Sequence, residues 1–330
     1  METTCNLYDK IRELSVLPEE NRYHVVSLPN KFHKLGISGE GYPKFFVITS
    51  DNSVMQNLNA ELLSVEYNVS CSIIEDNIAF DNQSFTIITL RSQNEQLQRV
   101  FIDVFLLMLD SLPSKPSNMI LASKIENLLS IFAKLKRRPI HKLQGLWAEL
   151  LLIEQSKEPT IVARSWHASL NAKYDFSLGG DKIEVKSTQS ENRIHHFSLD
   201  QLNPSINSRL LICSIVVRES AQGEMGFSIF DLYNRIIQRV DDSEVRIHLY
   251  EIIADTLGSD FFDAQKKFFD YVEACDSLAL YNYVDVPKIN KDMVPDHVTE
   301  VRFTSNLSFL EDVREGSYNK DNSELFNAVY

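Results

Sequence analysis

No run in this 330-residue chain approaches the roughly 20 consecutive apolar residues that a membrane-spanning helix needs. The longest apolar segments, 101–109 and 210–217, are short or interrupted. Residues 1–12 carry Glu2 and Asp9 and lack the apolar core of a secretion signal, so the expected compartment is the cytoplasm. Cysteine is scarce and scattered. Cys5, Cys71, Cys213 and Cys275 form no C-x-x-C pair, which argues against a thiolate zinc site and against a disulfide framework. Without a secretion signal, the triplets Asn68-Val-Ser70 and Asn82-Gln-Ser84 carry no glycosylation meaning. Positive charge is also short: 33 Lys and Arg against 46 Asp and Glu leave a formal net charge of −13. Such a chain does not coat nucleic acid with its whole surface, because non-specific affinity comes from cations that neutralise phosphates. A local basic strip, a bound metal or a basic partner can still supply the attraction. No internal repeat or low-complexity segment is visible.

What is present suffices for a packed core. At 44% hydrophobic and 24% charged the composition is that of a soluble globular protein, long enough for one large domain or two ordinary ones. Residues 1–92 read as a β-rich module, with β-branched and aromatic runs at 23–28, 44–49, 65–74 and 85–90 between Gly, Asn, Asp and Pro breakers. From Asn94 the period changes, and apolar residues at three and four predict helices over 94–111, 118–136 and 142–155. Strands are expected at 161–166, 174–178, 182–187 and 209–217. Helices are expected at 229–240, 247–257 and 261–275, then strands at 278–284 and 298–304 and a polar tail of some twenty residues. Ser198-Leu-Asp-Gln201 has the form of a capping box and predicts the start of a short helix. The expected division is a β-rich module, 1–92, and an α/β domain with a helical lead-in, 93–330.

The informative stretch is Tyr174-Asp-Phe-Ser-Leu-Gly-Gly-Asp-Lys-Ile-Glu-Val-Lys-Ser187. Gly179-Gly180 suits a two-residue hairpin turn, which needs positive φ. With that loop Leu178 faces Asp181, and counting back along both strands sets Asp175 opposite Glu184, with Cβ atoms roughly 4.5–5.5 Å apart. Strand alternation puts Lys186 on the face of Glu184, while Phe176, Ile183 and Val185 form an apolar face. Two facing carboxylates repel unless something positive lies between them, and a hard divalent cation with oxygen ligands resolves the conflict. Such an ion polarises a phosphoryl oxygen and acidifies a bound water, and Lys186 would orient that water or stabilise charge on the phosphate. A third acid, Glu149, sits on a helix among Leu146, Leu152 and Ile153, where a carboxylate needs a partner such as a shared metal or Lys186. An exposed hairpin with paired charges would share this spacing, yet Glu184-Val-Lys186 is the only acid-x-Lys triplet in the sequence.

These residues also carry a resemblance. Gln144-Gly-Leu-Trp-Ala-Glu-Leu150, Trp166, Tyr174-Asp-Phe176, Glu184-Val-Lys-Ser-Thr188 and His196-Phe-Ser-Leu-Asp-Gln-Leu202 follow one another in the order and spacing of a family. The chain resembles the PD-(D/E)XK proteins once catalogued as a domain of unknown function and found in bacterial restriction and phage-defence gene clusters. The likeness covers nearly the whole chain. It implies a restriction-endonuclease-like α/β/α core in which Glu149 is the acid of the first core helix, Asp175 the metal-binding Asp, and Glu184 with Lys186 the E-x-K pair. Tyr174 stands where the motif's name has proline, which carries no chemistry. The implied activity is Mg²⁺-dependent cleavage of DNA, with Mn²⁺ as a substitute, inside an anti-phage system. Some relatives are encoded beside a MutL-like ATPase, a helicase-like protein and a DNA methyltransferase, in the arrangement called Mza. A catalytically silent subunit of the same fold, holding nucleic acid or partners, is the alternative.

Other residues admit two readings. Lys134, Lys136, Arg137, Arg138 and Lys142 fall within nine residues that contain no acid. They form either a phosphate track beside the site or a helix end decorated with cations that suit its dipole. His195 and His196 read as a solvated loop within reach of a phosphate, and neither has a second ligand at zinc-binding spacing. Trp147 and Trp166 read as core.

Overall fold

The computed structural model describes residues 4–14, 21–29, 32–51, 53–135, 137–138, 143–167, 172–221, 223, 225–316 and 318–330. The chain divides into two compact units, Met1–Ala133 and Lys134–Tyr330. In the first, helix α1 (Thr4–Glu13) precedes strands β1 (Arg22–Ser27), β2 (Lys34–Ile37), β3 (Pro43–Val47), β4 (Leu58–Asn59), β5 (Leu63–Glu75) and β6 (Ile78–Leu90). Helices α2 (Glu95–Asp110) and α3 (Asn118–Lys134) follow. Among the described residues the strand order is β1-β2-β3-β6-β5-β4, and β1 also pairs with β5, so five strands close into a ring. Alternation along β3 serves two cores. Phe46 packs with Val25, Cys71, Ile73, Phe85 and Ile87, while Phe45 stacks on Phe105 of α2 with 4.1 Å between ring centroids. The Asn94 side chain caps α2 by accepting from Leu97 N at 2.9 Å. Each strand and helix expected in this stretch is found. Helix α1 and short β2 and β4 are additions, and β2 lies so close to β1 that a Cβ on Gly36 would come within 2.8 Å of His24 O.

The second unit begins with helices α4 (Leu143–Gln155) and α5 (Pro159–Ser165), then strands β7 (Phe176–Leu178), β8 (Asp181–Thr188), β9 (Ile194–Ser198) and β10 (Arg209–Val216). After them come β11 (Glu219–Ser220), β12 (Gly226–Phe227), α6 (Ile229–Ile237), α7 (Ser243–Leu257), α8 (Phe261–Ala264), β13 (Phe268–Asp270), α9 (Tyr271–Ser277), β14 (Ala279–Asn282), β15 (Arg302–Asn306) and α10 (Glu324–Val329). Among the described residues its main sheet has four strands in the order β14-β10-β8-β7, with β8 and β10 parallel. β10 is buried from Leu210 through Val216, which accounts for its nearly continuous apolar run, interrupted only at Ser214. Ladder partners share a face, so Glu184 lies beside Ile212 and Lys186 beside Ser214. On that face Leu210 and Ile212 join Tyr174, Phe197, Tyr281 and Leu307 in one cluster. Ile183 and Leu211 turn to the other face. At the start of β8, buried Asp181 accepts from Arg209 Nε at 2.7 Å, Arg209 Nη2 at 3.0 Å and Ser323 Oγ at 2.6 Å. Among the described residues no helix is long and apolar enough to cross a membrane.

Several expectations are corrected here. The strand expected at 161–166 is helix α5: Ile161 and Val162 favour strands, but Pro159 in the first helical turn, where its missing N–H costs nothing, starts a helix. The helix expected at 261–275 breaks into α8, β13 and α9, because Asp270 stops the strand and caps α9 through Glu273 N at 3.0 Å. The Ser198–Gln201 box does close, with Ser198 N reaching Gln201 Oε1 at 3.1 Å and Gln201 N reaching Ser198 Oγ at 3.3 Å, yet only a turn follows it. The loop assigned to His195 and His196 is strand β9, paired with β15. The polar tail ends in α10, whose Leu325, Phe326, Ala328 and Val329 are buried.

Candidate metal centre

The β7–β8 hairpin has the expected register, with Phe176 opposite Ile183, Ser177 opposite Lys182 and Leu178 opposite Asp181. Gly179 adopts φ 56° and Gly180 does not take positive φ, the pattern of a type II′ turn. A Cβ on Gly180 would stand 2.9 Å from Asn207 O, so close approach as well as turning calls for glycine there. The ladder stops one step short of Asp175. Trp166 forms an isolated bridge to Phe176, and the Asp175 carbonyl accepts from His167 N at 2.8 Å. The Asp175 side chain folds back onto β8, where Oδ2 accepts from Val185 N at 2.7 Å. Asp175 therefore reaches the neighbourhood of Glu184 through its carboxylate, beyond the last regular rung.

Strand alternation delivers Lys186 to Glu184: Nζ lies 2.6 Å from Oε1. The same oxygen accepts from Gln201 Nε2 at 2.5 Å. Glu184 is only 3% exposed, and its other oxygen, Oε2, has no hydrogen-bond partner among the described residues. Leaving a buried acceptor unmet costs about 1–3 kcal/mol, and more when it is charged. Glu149 enters from α4, where Oε2 accepts from Trp166 Nε1 at 2.7 Å and meets His167 Nε2 at 3.0 Å. One donor atom each from Glu149, His167 and Asp175 lie within 4.8 Å of one another. Burial pushes the Asp175 carboxyl well above the usual carboxylate range, and the charges of Glu149 and Glu184 push it further. Burial also raises Glu184, against the pull of Lys186. Two buried carboxyls raised beside Glu149, with one buried oxygen lacking a donor among the described residues, are the donor set a divalent cation satisfies.

A sequence model of one protein family matches residues 19–308, and its description is "Putative PD-(D/E)XK family member" (DUF4420). The chain belongs to this PD-(D/E)XK family. The match runs through α4, the β7–β8 hairpin, β9, β10 and β15. The mixed α/β architecture is that of a restriction-endonuclease-like fold, and family membership points to metal-dependent nuclease chemistry. No curated protein and no solved structure matches the chain.

In this PD-(D/E)XK chain the structure brings together Glu149, Asp175, Glu184 and Lys186. Two residues near them escaped the sequence reading. His167 follows Trp166 directly, and the bridge from Trp166 to Phe176 helps bring it to Glu149. Gln201 was visible as the end of a capping box, a pattern that speaks of helix caps rather than of Glu184. The tryptophans are core as expected, both fully buried, and Trp166 also holds Glu149. His195 is buried, with Nε2 2.8 Å from Ser214 Oγ, and His196 pairs with Thr304 Oγ1 at 3.0 Å. Lys134 and Arg137 each come within 4.0 Å of Asp255 near the end of α7, the Arg137 carbonyl accepts from Ser259 N at 2.7 Å, and Arg138 is exposed. Lys136 and Lys142 lie outside the described residues.

Proposed function

We propose that this chain is a metal-dependent DNA endonuclease that works with partner subunits in a bacterial anti-phage system in the cytoplasm. The observation that carries the reading is Glu184 Oε2, a buried carboxylate oxygen without a donor among the described residues, beside Asp175 and Glu149. Asp175, Glu184 and Glu149 would hold the cation, Mg²⁺ with Mn²⁺ as a substitute. When bound, it supplies polarisation of a phosphoryl oxygen and a more acidic water. Lys186, 2.6 Å from Glu184, presents its ammonium to charge developing on the phosphate. Gln201 fixes the Glu184 carboxylate, and Trp166 fixes that of Glu149. The defence setting rests on the motif order shared with proteins of restriction and phage-defence clusters. The net charge of −13 supports delivery of DNA by partners, such as an ATPase, a helicase-like protein or a methyltransferase.

The test is cleavage of linear and supercoiled phage DNA with Mg²⁺ or Mn²⁺, by the chain alone and with its partners. Asp175→Asn, Glu184→Gln and Lys186→Ala should each abolish cutting, and only the first two should abolish metal binding. Phage protection by all three variants at the wild-type level defeats the reading. Metal binding and DNA retention without cutting would instead identify a silent, nucleic-acid-holding subunit.

A further inference from the structure

His167 occupies none of the positions the motif names, yet it touches the acid cluster. Its Nε2 is 3.0 Å from Glu149 Oε2, and with Asp175 it completes a set of three donor atoms within 4.8 Å. Two donors set at right angles on an ion with bonds of about 2.1 Å lie about 3 Å apart, so the His167–Glu149 spacing is that of neighbouring ligands. Glu149 does not depend on this histidine for a donor, because Trp166 Nε1 already reaches the same oxygen at 2.7 Å. The imidazole is held in place by its backbone. The His167 backbone N–H donates to Asp175 O at 2.8 Å, the preceding carbonyl of Trp166 meets His248 Nε2 at 2.9 Å, and His167 itself adopts φ 42°. That left-handed conformation is uncommon for residues with a side chain and persists where the surroundings fix it. The His167 side chain is 29% exposed and that of Glu149 16%, so the site stays open on one side.

We infer that His167 is a nitrogen ligand of the divalent ion and tilts the centre from Mg²⁺ toward Mn²⁺ and related transition ions. The inference rests on the metal-dependent reading above. Mg²⁺ strongly prefers oxygen, whereas imidazole suits first-row transition metals, so one nitrogen among carboxylates shifts the balance of affinities. Ligation needs the Nε2 lone pair. The ring then carries its proton on Nδ1, and the Nε2 contact to Glu149 gives way to a shared ion.

The experiment is metal titration by calorimetry together with pulsed EPR of the Mn²⁺-loaded protein, grown with histidine carrying the heavy nitrogen isotope. Wild type should show nitrogen coupling to Mn²⁺. His167→Gln should lose that coupling and about tenfold or more of its Mn²⁺ affinity, while Mg²⁺ affinity changes by less than about threefold. If His167→Gln fails to fold, the wild-type spectrum still decides. Mn²⁺ binding that Asp175→Asn abolishes but that shows no nitrogen coupling places the ion on oxygens alone. That outcome overturns the role of His167 and leaves the nuclease reading standing. Absence of any saturable binding that depends on Asp175 would bring down both.

Discussion

Among the described residues, Glu184 uses one carboxylate oxygen twice and the other not at all. That asymmetry, with Asp175 and Glu149 close by, sets what single substitutions should do. Asp175 and Glu184 are raised by burial and Asp175 further by like charge, so the folded, metal-free protein holds protons that the unfolded chain releases. A raised acid stabilises the fold fully below its ordinary value, near 3.8 for Asp, and that contribution is lost as pH climbs through the raised value. In the presence of a chelator, Asp175→Asn should therefore stabilise the protein at neutral pH and flatten its decline above pH 4. Urea unfolding across pH reads both, and a less stable variant counts against the repulsion. His195 predicts the opposite slope. Burial lowers it from 6.5 to about 4, so it is neutral when folded. The unfolded chain takes up the proton first as pH falls, and stability present above 6.5 is lost on the way down to about 4. His195→Gln should remove that part of the acid sensitivity, seen as a smaller drop in Tm between pH 7 and 5.

Elements were legible where a local rule decided them. The hairpin register followed from Gly179-Gly180 and strand alternation, and the same count brought Glu184 and Lys186 onto one face. His167 and Gln201 were not legible, because both reach the acids through contacts with no local period: a bridge from Trp166 to Phe176, and a turn that folds its amide back onto β8. Helix α5 was misread because β-branched Ile161 and Val162 outweighed Pro159. Helix α10 was missed because one short apolar stripe stands within polar sequence. That stripe matters for the site's support. Ser323 Oγ accepts from Phe326 N at 2.9 Å as the α10 cap and donates to Asp181 Oδ2 at 2.6 Å. Ser323→Ala should cost about 1–2 kcal/mol, measured by urea unfolding, and Ser323→Thr should recover part of it. No loss in the alanine variant would show that Arg209 alone satisfies Asp181.

At the scale of the whole molecule, 46 acids against 33 bases predict weak binding of DNA by the isolated chain near physiological salt. Changing Lys134, Arg137 and Arg138 together to Ala should weaken it further and make its salt dependence shallower by up to about 0.9 log unit per lost phosphate contact. The readout is fluorescence anisotropy over a salt series, and an unchanged slope would return these cations to Asp255 and the helix end.

The bond from Ser323 to Asp181 also has a bearing on time. The two residues stand 142 positions apart. At about 5–20 residues per second, the ribosome makes the E-x-K strand on the order of ten seconds before it makes the serine that completes the strand's base. During that interval a nascent chain carries its acids beside a strand whose first residue, Asp181, lacks its serine donor. A chain ending at residue 322 should mimic this state, with a lower Tm and weaker Mn²⁺ binding than the full chain. The order of synthesis thus leaves Asp181 without its serine donor until some 142 further residues have been made.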